Sequence, residues 1–72
     1  MIGEVREWHD EQGWGVLTAP GLDSPVWAHF SAIEAEGYRT LAAGARVEFT
    51  YEDVTWQDGY TKRAVRVHAL QT

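Results

Sequence analysis

The chain has no cysteine, so disulfides, thiolate metal sites and thiol nucleophiles are excluded. Proline is confined to Pro20 and Pro25, both in one short segment. Basic residues are scarce: six Lys and Arg stand against eleven Asp and Glu, with three His, for a formal net charge of −5. Proteins that hold duplex DNA by neutralising phosphates are usually basic, so this balance argues against that class and leaves room only for a local basic patch. Long apolar runs are missing too. No stretch approaches the ~18 residues of a membrane span, and residues 1–8 carry neither the basic nor the apolar region of a secretion signal. A soluble, cytoplasmic protein is expected. The length of 72 residues is far below what a doubly wound sheet or βα-barrel needs. Without crosslinks, one small core of apolar side chains must hold the fold.

What is present is β-patterning. Period-2 alternation with β-branched and aromatic residues marks strands at 2–9, 13–18, 26–30, 46–56 and 60–69. In the first, Val5 and Glu7 share one parity, and Glu4, Arg6 and Trp8 the other. In the fourth, Val47, Phe49 and Tyr51 oppose Glu48, Thr50 and Glu52. In the fifth, Val65, Val67 and Ala69 oppose Arg66 and His68. Glu11-Gln12-Gly13 closes a tight first hairpin, residues 19–25 form a loop, and Asp58-Gly59 suits a type I′ turn. Ser31 and Glu34 have capping-box spacing, which predicts one helical turn ended by Gly37. Five short strands in so few residues cannot build a sandwich. An all-β, five-stranded antiparallel closed barrel, a single domain over 1–72, is the expected architecture, because closure removes exposed edges.

The tryptophans sit on the unexpected side of that pattern. Trp14 and Val16 share a face opposite Gly15 and Leu17, while Trp27 and His29 share a face opposite Val26 and Ala28. If the small and aliphatic residues fill the barrel, two tryptophans and a histidine point outward, with Trp8 nearby. An outward tryptophan forfeits a few kcal/mol of burial. Several together make a platform of the kind on which single-stranded bases stack, at roughly 1–3 kcal/mol per base. The pattern alone also permits the reverse, with the tryptophans as core.

Gly13-Trp14-Gly15-Val16-Leu17 and Val26-Trp27-Ala28-His29-Phe30 resemble the two ribonucleoprotein motifs of the cold-shock domain family, usually Lys-Gly-Phe-Gly-Phe-Ile and Val-Phe-Val-His-Phe. The likeness continues through Ser31-Ala32-Ile33, Gly37-Tyr38-Arg39-Thr40-Leu41, Gly44 and Val47-Glu48-Phe49, and covers nearly the whole chain. It implies a five-stranded oligonucleotide-binding (OB) fold that binds single-stranded RNA or DNA, often as an RNA chaperone. It also implies stacking on Trp14, Trp27, His29 and Phe30, flanked by Trp8 and Tyr38, with Val16 as a weaker surface. Arg6, at a position where the family uses a lysine near the backbone, and Arg39 would supply charge. Trp56, beside the Asp58-Gly59 turn with Tyr60, either packs across that hairpin or extends the platform by one base. The departures are specific to this chain. Gln12 replaces the first motif's lysine, and Glu7-Trp8-His9 stands where the family has Trp-Phe-Asn, which puts a carboxylate in place of a stacking ring.

Lys62, Arg63 and Arg66 form the only local basic cluster, as suited to pairing with Glu48 and Glu52 across the sheet as to holding phosphate. His9, His29 and His68 lie on different strands without metal-ligand spacing. No phosphate loop of Walker type, nucleophile elbow or paired carboxylate signature occurs. The reading is a non-enzymatic binder of single-stranded, pyrimidine-rich RNA or DNA that uses no cofactor, metal or membrane. Its rival is an acidic barrel whose aromatic face recognises protein.

Overall fold

A computed structural model describes residues 1–35, 40–57 and 59–70, with the backbone alone for 56 and 57. The expected roles of Gly37, Tyr38, Arg39, Asp58 and the Trp56 side chain lie outside the described residues. Five strands account for most of the chain: β1 (Ile2–His9), β2 (Trp14–Thr18), β3 (Val26–His29), β4 (Arg46–Gln57) and β5 (Tyr60–Ala69). They close into a barrel in the order β1-β2-β3-β5-β4, with β4 returning to β1. Four seams are antiparallel. The fifth, between β3 and β5, is parallel at Trp27–Arg63. Hairpins force antiparallel neighbours, but β3 and β5 are joined through a long connection and β4, which frees them to run together.

The turns follow their glycines. The carbonyl of His9 accepts from the amides of Gln12 and Gly13 at 3.1 and 2.8 Å, and Gly13 takes φ +78°, which strongly favours glycine. Gln57 pairs with Tyr60 across a two-residue turn in which Gly59 has φ +92°. The helical turn is a single 3-10 turn, Phe30–Ala32. Its cap is His29 rather than Ser31: the His29 side chain accepts from the Ser31 amide, and Ile33 beyond the turn bridges to Val67. The Ser31 hydroxyl bonds His29 Nδ1 at 2.8 Å, so it is engaged before it could cap anything downstream.

Inside the barrel lie Val5, Leu17, Val26, Ala28, Ile33, Leu41, Val47, Phe49, Ala64 and Val67. Each large side chain here contributes roughly 1.5–3 kcal/mol by leaving water. Leu17, Val26 and Ala28 therefore face inward as the alternation requires, which turns the reverse assignment of β2 and β3 away.

The register shifts at three places among the described residues, Val5/Glu7 against β2 and Thr50/Tyr51 and Asp53/Gln57 against β5, and the first two correct the simple alternation. In β1 the pairing shifts between Val5 and Glu7, so Arg6 is the extra residue. One extra residue flips every side chain beyond it to the other face. Val5 thus points in, Glu7 points out, and Trp8 turns inward, against the core. In β5, Thr50 pairs with Arg66 and Tyr51 with Ala64, leaving Val65 unpaired. Val65 is exposed instead of sharing the core with Val67, and Ala64 takes the inward place.

Candidate nucleic-acid interface

The outer surface of β1, β2 and β3 carries two cross-strand rows. One runs His9–Trp14–His29, and the other Glu7–Val16–Trp27, continuing across the parallel seam to Arg63 and Glu52. Directly opposed residues on one face touch, and here they build a continuous chain of rings. Centroids are 4.4 Å apart for His9 and Trp14, 6.4 Å for Trp14 and Trp27, 5.8 Å for Trp27 and His29, and 4.5 Å for His29 and Phe30. Trp14 and Trp27 lie within 22° of parallel, and Trp27 and His29 within 24°.

Of the residues expected to form this face, Trp14, Trp27, His29 and Phe30 are brought together. Their exposures differ. Phe30 is open to solvent, Trp14 and His29 are half-buried, and Trp27 is only 8% exposed. Trp27 thus does not stand free in water; neighbours on its own face cover it, outside the barrel core. Its indole N–H is buried without a hydrogen-bond partner among the described residues.

Val16 and Trp8 require correction. Val16 belongs to the outer row but is wholly buried, so it is a floor under the rings and offers no stacking surface. Trp8 leaves the platform because of the bulge at Arg6. Its ring lies against Gly15, where an added Cβ would sit 2.2 Å from Trp8 Cε3. That contact explains the second glycine of Gly-Trp-Gly: any side chain there would expel the indole. Gly13 has a matching role, since a Cβ would lie 2.8 Å from the Phe30 ring and the Gly13 carbonyl accepts from the Phe30 amide at 2.8 Å. Arg6 is exposed at the bulge, with no ionic partner among the described residues. Tyr38, Arg39 and the Trp56 side chain are not among those residues.

Sequence reasoning missed two members of the site. His9, considered from sequence as a metal ligand and set aside, packs against Trp14 with its ring tilted by 40° and donates from Nε2 to Glu7 Oε2 at 2.6 Å. Its position directly opposite Trp14 in the first hairpin was the available signal. Gln12 does more than lose a phosphate contact: its Oε1 accepts from Trp14 Nε1 at 3.0 Å and fixes that ring's orientation. At the other end, His29 Nδ1 accepts from the Ser31 amide, so Nε2 carries the ring hydrogen and is free to donate.

The basic cluster of β5 is consumed by acids. Lys62 Nζ donates to Asp53 Oδ1 at 3.0 Å, Arg63 Nε to Glu52 Oε2 at 3.2 Å, and Arg66 Nε to Glu34 Oε2 at 2.9 Å. Asp53 and Glu34 replace the expected Glu48 as partners. No group of three or more His, Cys, Asp or Glu that could hold a metal occurs among the described residues. Nor, among them, does any helix long and apolar enough to cross a membrane.

A closed five-stranded barrel with this strand order is the OB fold of all-β domains. The chain belongs to the 'cold-shock' DNA-binding domain family, whose model matches residues 1–69. It is 44% identical over 48 residues to cold shock-like protein CspD of Haemophilus influenzae, covering 67% of each chain. It is 41% identical over 53 residues to major cold shock protein CspA of Bacillus cereus, covering 74% of this chain and 78% of the relative. Cold shock protein CspV of Vibrio cholerae is 40% identical over 52 residues, 72% of this chain and 74% of that protein.

Proposed function

We propose that this chain, acting as one domain, binds single-stranded RNA or DNA by stacking bases on the face formed by Trp14, Trp27, His29 and Phe30. The observation that carries this reading is the unbroken succession of rings from His9 to Phe30 on the outside of a barrel whose core is already filled by aliphatic residues and Phe49. Rings kept on an outer face are expensive to maintain unless something covers them. Bases do so at roughly 1–3 kcal/mol each with little regard for sequence. Binding of this kind competes with base pairing, which is how an RNA chaperone in the cytoplasm would keep transcripts open. No catalytic step, metal or cofactor enters this reading.

The electrostatics support stacking as the main term. With Lys62, Arg63 and Arg66 paired, Arg6 and Arg46 are the described guanidinium groups without an ionic partner. Two phosphate contacts at roughly −0.7 each give a slope of log affinity on log salt near −1.4. The test is titration with a pyrimidine-rich single-stranded oligonucleotide at several salt concentrations, read by tryptophan emission. Quenching with a slope of about −1 to −2 is expected. No quenching at low salt would favour a protein partner for the face, and a slope steeper than about −4 would demand a basic groove.

A further inference from the structure

The parallel seam between β3 and β5 sets Arg63 in register with Trp27. The two residues line one cleft together with His29 and Glu52, about 380 Å³ in volume. That volume is within the range of small-ligand sites. The cleft therefore has two rings of the stacking platform on one wall and a guanidinium on the other. Its free donors suit an anionic oxygen. Arg63 carries a fixed positive charge, and His29, whose Nδ1 already accepts from the Ser31 amide, keeps Nε2 free to donate. The cations without an ionic partner are placed differently. Arg6 lies at the β1 bulge, and Arg46 lines a separate cleft with Ile2, Gly3 and Pro20.

In the free protein Arg63 is occupied by Glu52, its opposite on β4. Glu52 Oε2 accepts from Arg63 Nε at 3.2 Å and also from Nη2, while Nη1 has no partner among the described residues. One carboxylate oxygen thus serves two N–H groups. A guanidinium fork is better filled by two oxygens, which the unesterified pair of a phosphodiester provides. The ion pair is also open to water, with its side chains 42% and 45% exposed. Exposed pairs are held weakly, so an anionic oxygen can take the place of the carboxylate.

We propose that Arg63 is a further nucleic-acid-binding residue, which takes a phosphate of the bound strand beside Trp27 and His29, and that Glu52 is the competitor this phosphate displaces. The proposal rests on the nucleic-acid reading above and deepens it. The exchange neutralises one phosphate and uncovers one carboxylate, so it leaves the salt slope of the unaltered chain at about −1.4. Its main effect is to fix where the backbone runs, as phosphate contacts generally do.

The experiment measures heptathymidylate affinity by tryptophan quenching at several salt concentrations. Glu52→Gln should tighten binding about three- to tenfold at low salt, the range of one net hydrogen-bonded contact, and steepen the slope to about −2.1. Glu48→Gln makes the same change in net charge on the same strand, at the end that pairs with Ile2 and His68. It should tighten binding less than twofold and leave the slope at about −1.4. Arg63→Gln added to Glu52→Gln should return affinity and slope to those of the unaltered chain, whereas Arg66→Gln, equal in charge, should not. Equal effects of Glu52→Gln and Glu48→Gln, or a gain that survives Arg63→Gln, overturn the role of Arg63 while leaving stacking intact. Absence of quenching in every chain overturns the nucleic-acid reading itself. The comparison of Glu52→Gln with Glu48→Gln keeps Arg63 in place, so the proposal stays testable even if Arg63→Gln folds poorly.

Discussion

The outside of β1–β3 and the outside of β4–β5 belong to the same barrel and are built on opposite principles. On β4–β5, cations and carboxylates meet across the sheet: Lys62 with Asp53 and Arg63 with Glu52, and from the same strand Arg66 reaches Glu34. On β1–β3, rings lie against rings, and the polar groups hold those rings in place: Gln12 fixes Trp14, Ser31 fixes His29, and Glu7 pairs with His9. Exposed ion pairs contribute little to stability, typically 0–1 kcal/mol, and leave no charge to attract a polyanion. The aromatic face keeps Phe30 open to solvent and Trp14 and His29 half-exposed. Under the function proposed above, the contrast is how an acidic domain would still offer a place for nucleic acid: its β5 cations are paired with acids, and affinity would rest on stacking.

Breaking the aromatic row at its buried member should have the largest effect. Trp27 is nearly covered, so Trp27→Ala should cost about 3 kcal/mol and lower Tm by roughly 10–20 °C. A thermal melt checks this, and a shift of less than about 4 °C would mean that the ring is only draped on the surface. Truncating the half-buried member separates stability from binding. Trp14→Ala should weaken oligonucleotide binding by roughly 1–3 kcal/mol with a small change in Tm. Arg66→Ala, on the ion-paired face, should leave affinity within about 0.3 kcal/mol of the parent. Equal losses from Trp14→Ala and Arg66→Ala in the same titration would dissolve the distinction between the two faces.

The smallest effect is in alkali. Hydrogen bonding to Asp53 raises the Lys62 ammonium above its ordinary value of 10.5. A group whose pKa is raised on folding contributes stability that is fully present below the unfolded value and is lost as pH rises through the folded one. The Lys62–Asp53 pair should therefore support the fold up to about pH 10.5 and fail above it. Lys62→Gln should make the alkaline decline in Tm slightly shallower, with oligonucleotide binding at neutral pH unchanged. An alkaline limb identical in both proteins would show that the pair has no share in it.

Alternation in the sequence was enough to place the five strands and to group Trp14 with Val16 and Trp27 with His29, because side-chain direction in a regular strand depends only on parity. Which of the two faces lies inward was decided by the packed core, where Leu17, Val26 and Ala28 sit. Glycines likewise marked the turns, since a positive φ is a local requirement. Parity fails at a bulge, and nothing local announces that Arg6 or Val65 is the extra residue. The fates of Trp8, Glu7 and Val65 were therefore decided by how β1 and β5 had to bend to close the barrel. Closure also decided the parallel β3–β5 seam, which brings Arg63 and Glu52 to the end of the row that begins at Glu7. The same holds for burial. Parity puts Val16 with Trp14 and Trp27 with His29, but only the packed structure determines that Trp27 is almost covered and Val16 becomes a floor. Pairings such as His9 with Glu7 or Arg66 with Glu34 depend on distances that parity does not contain. Those were set by tertiary structure alone.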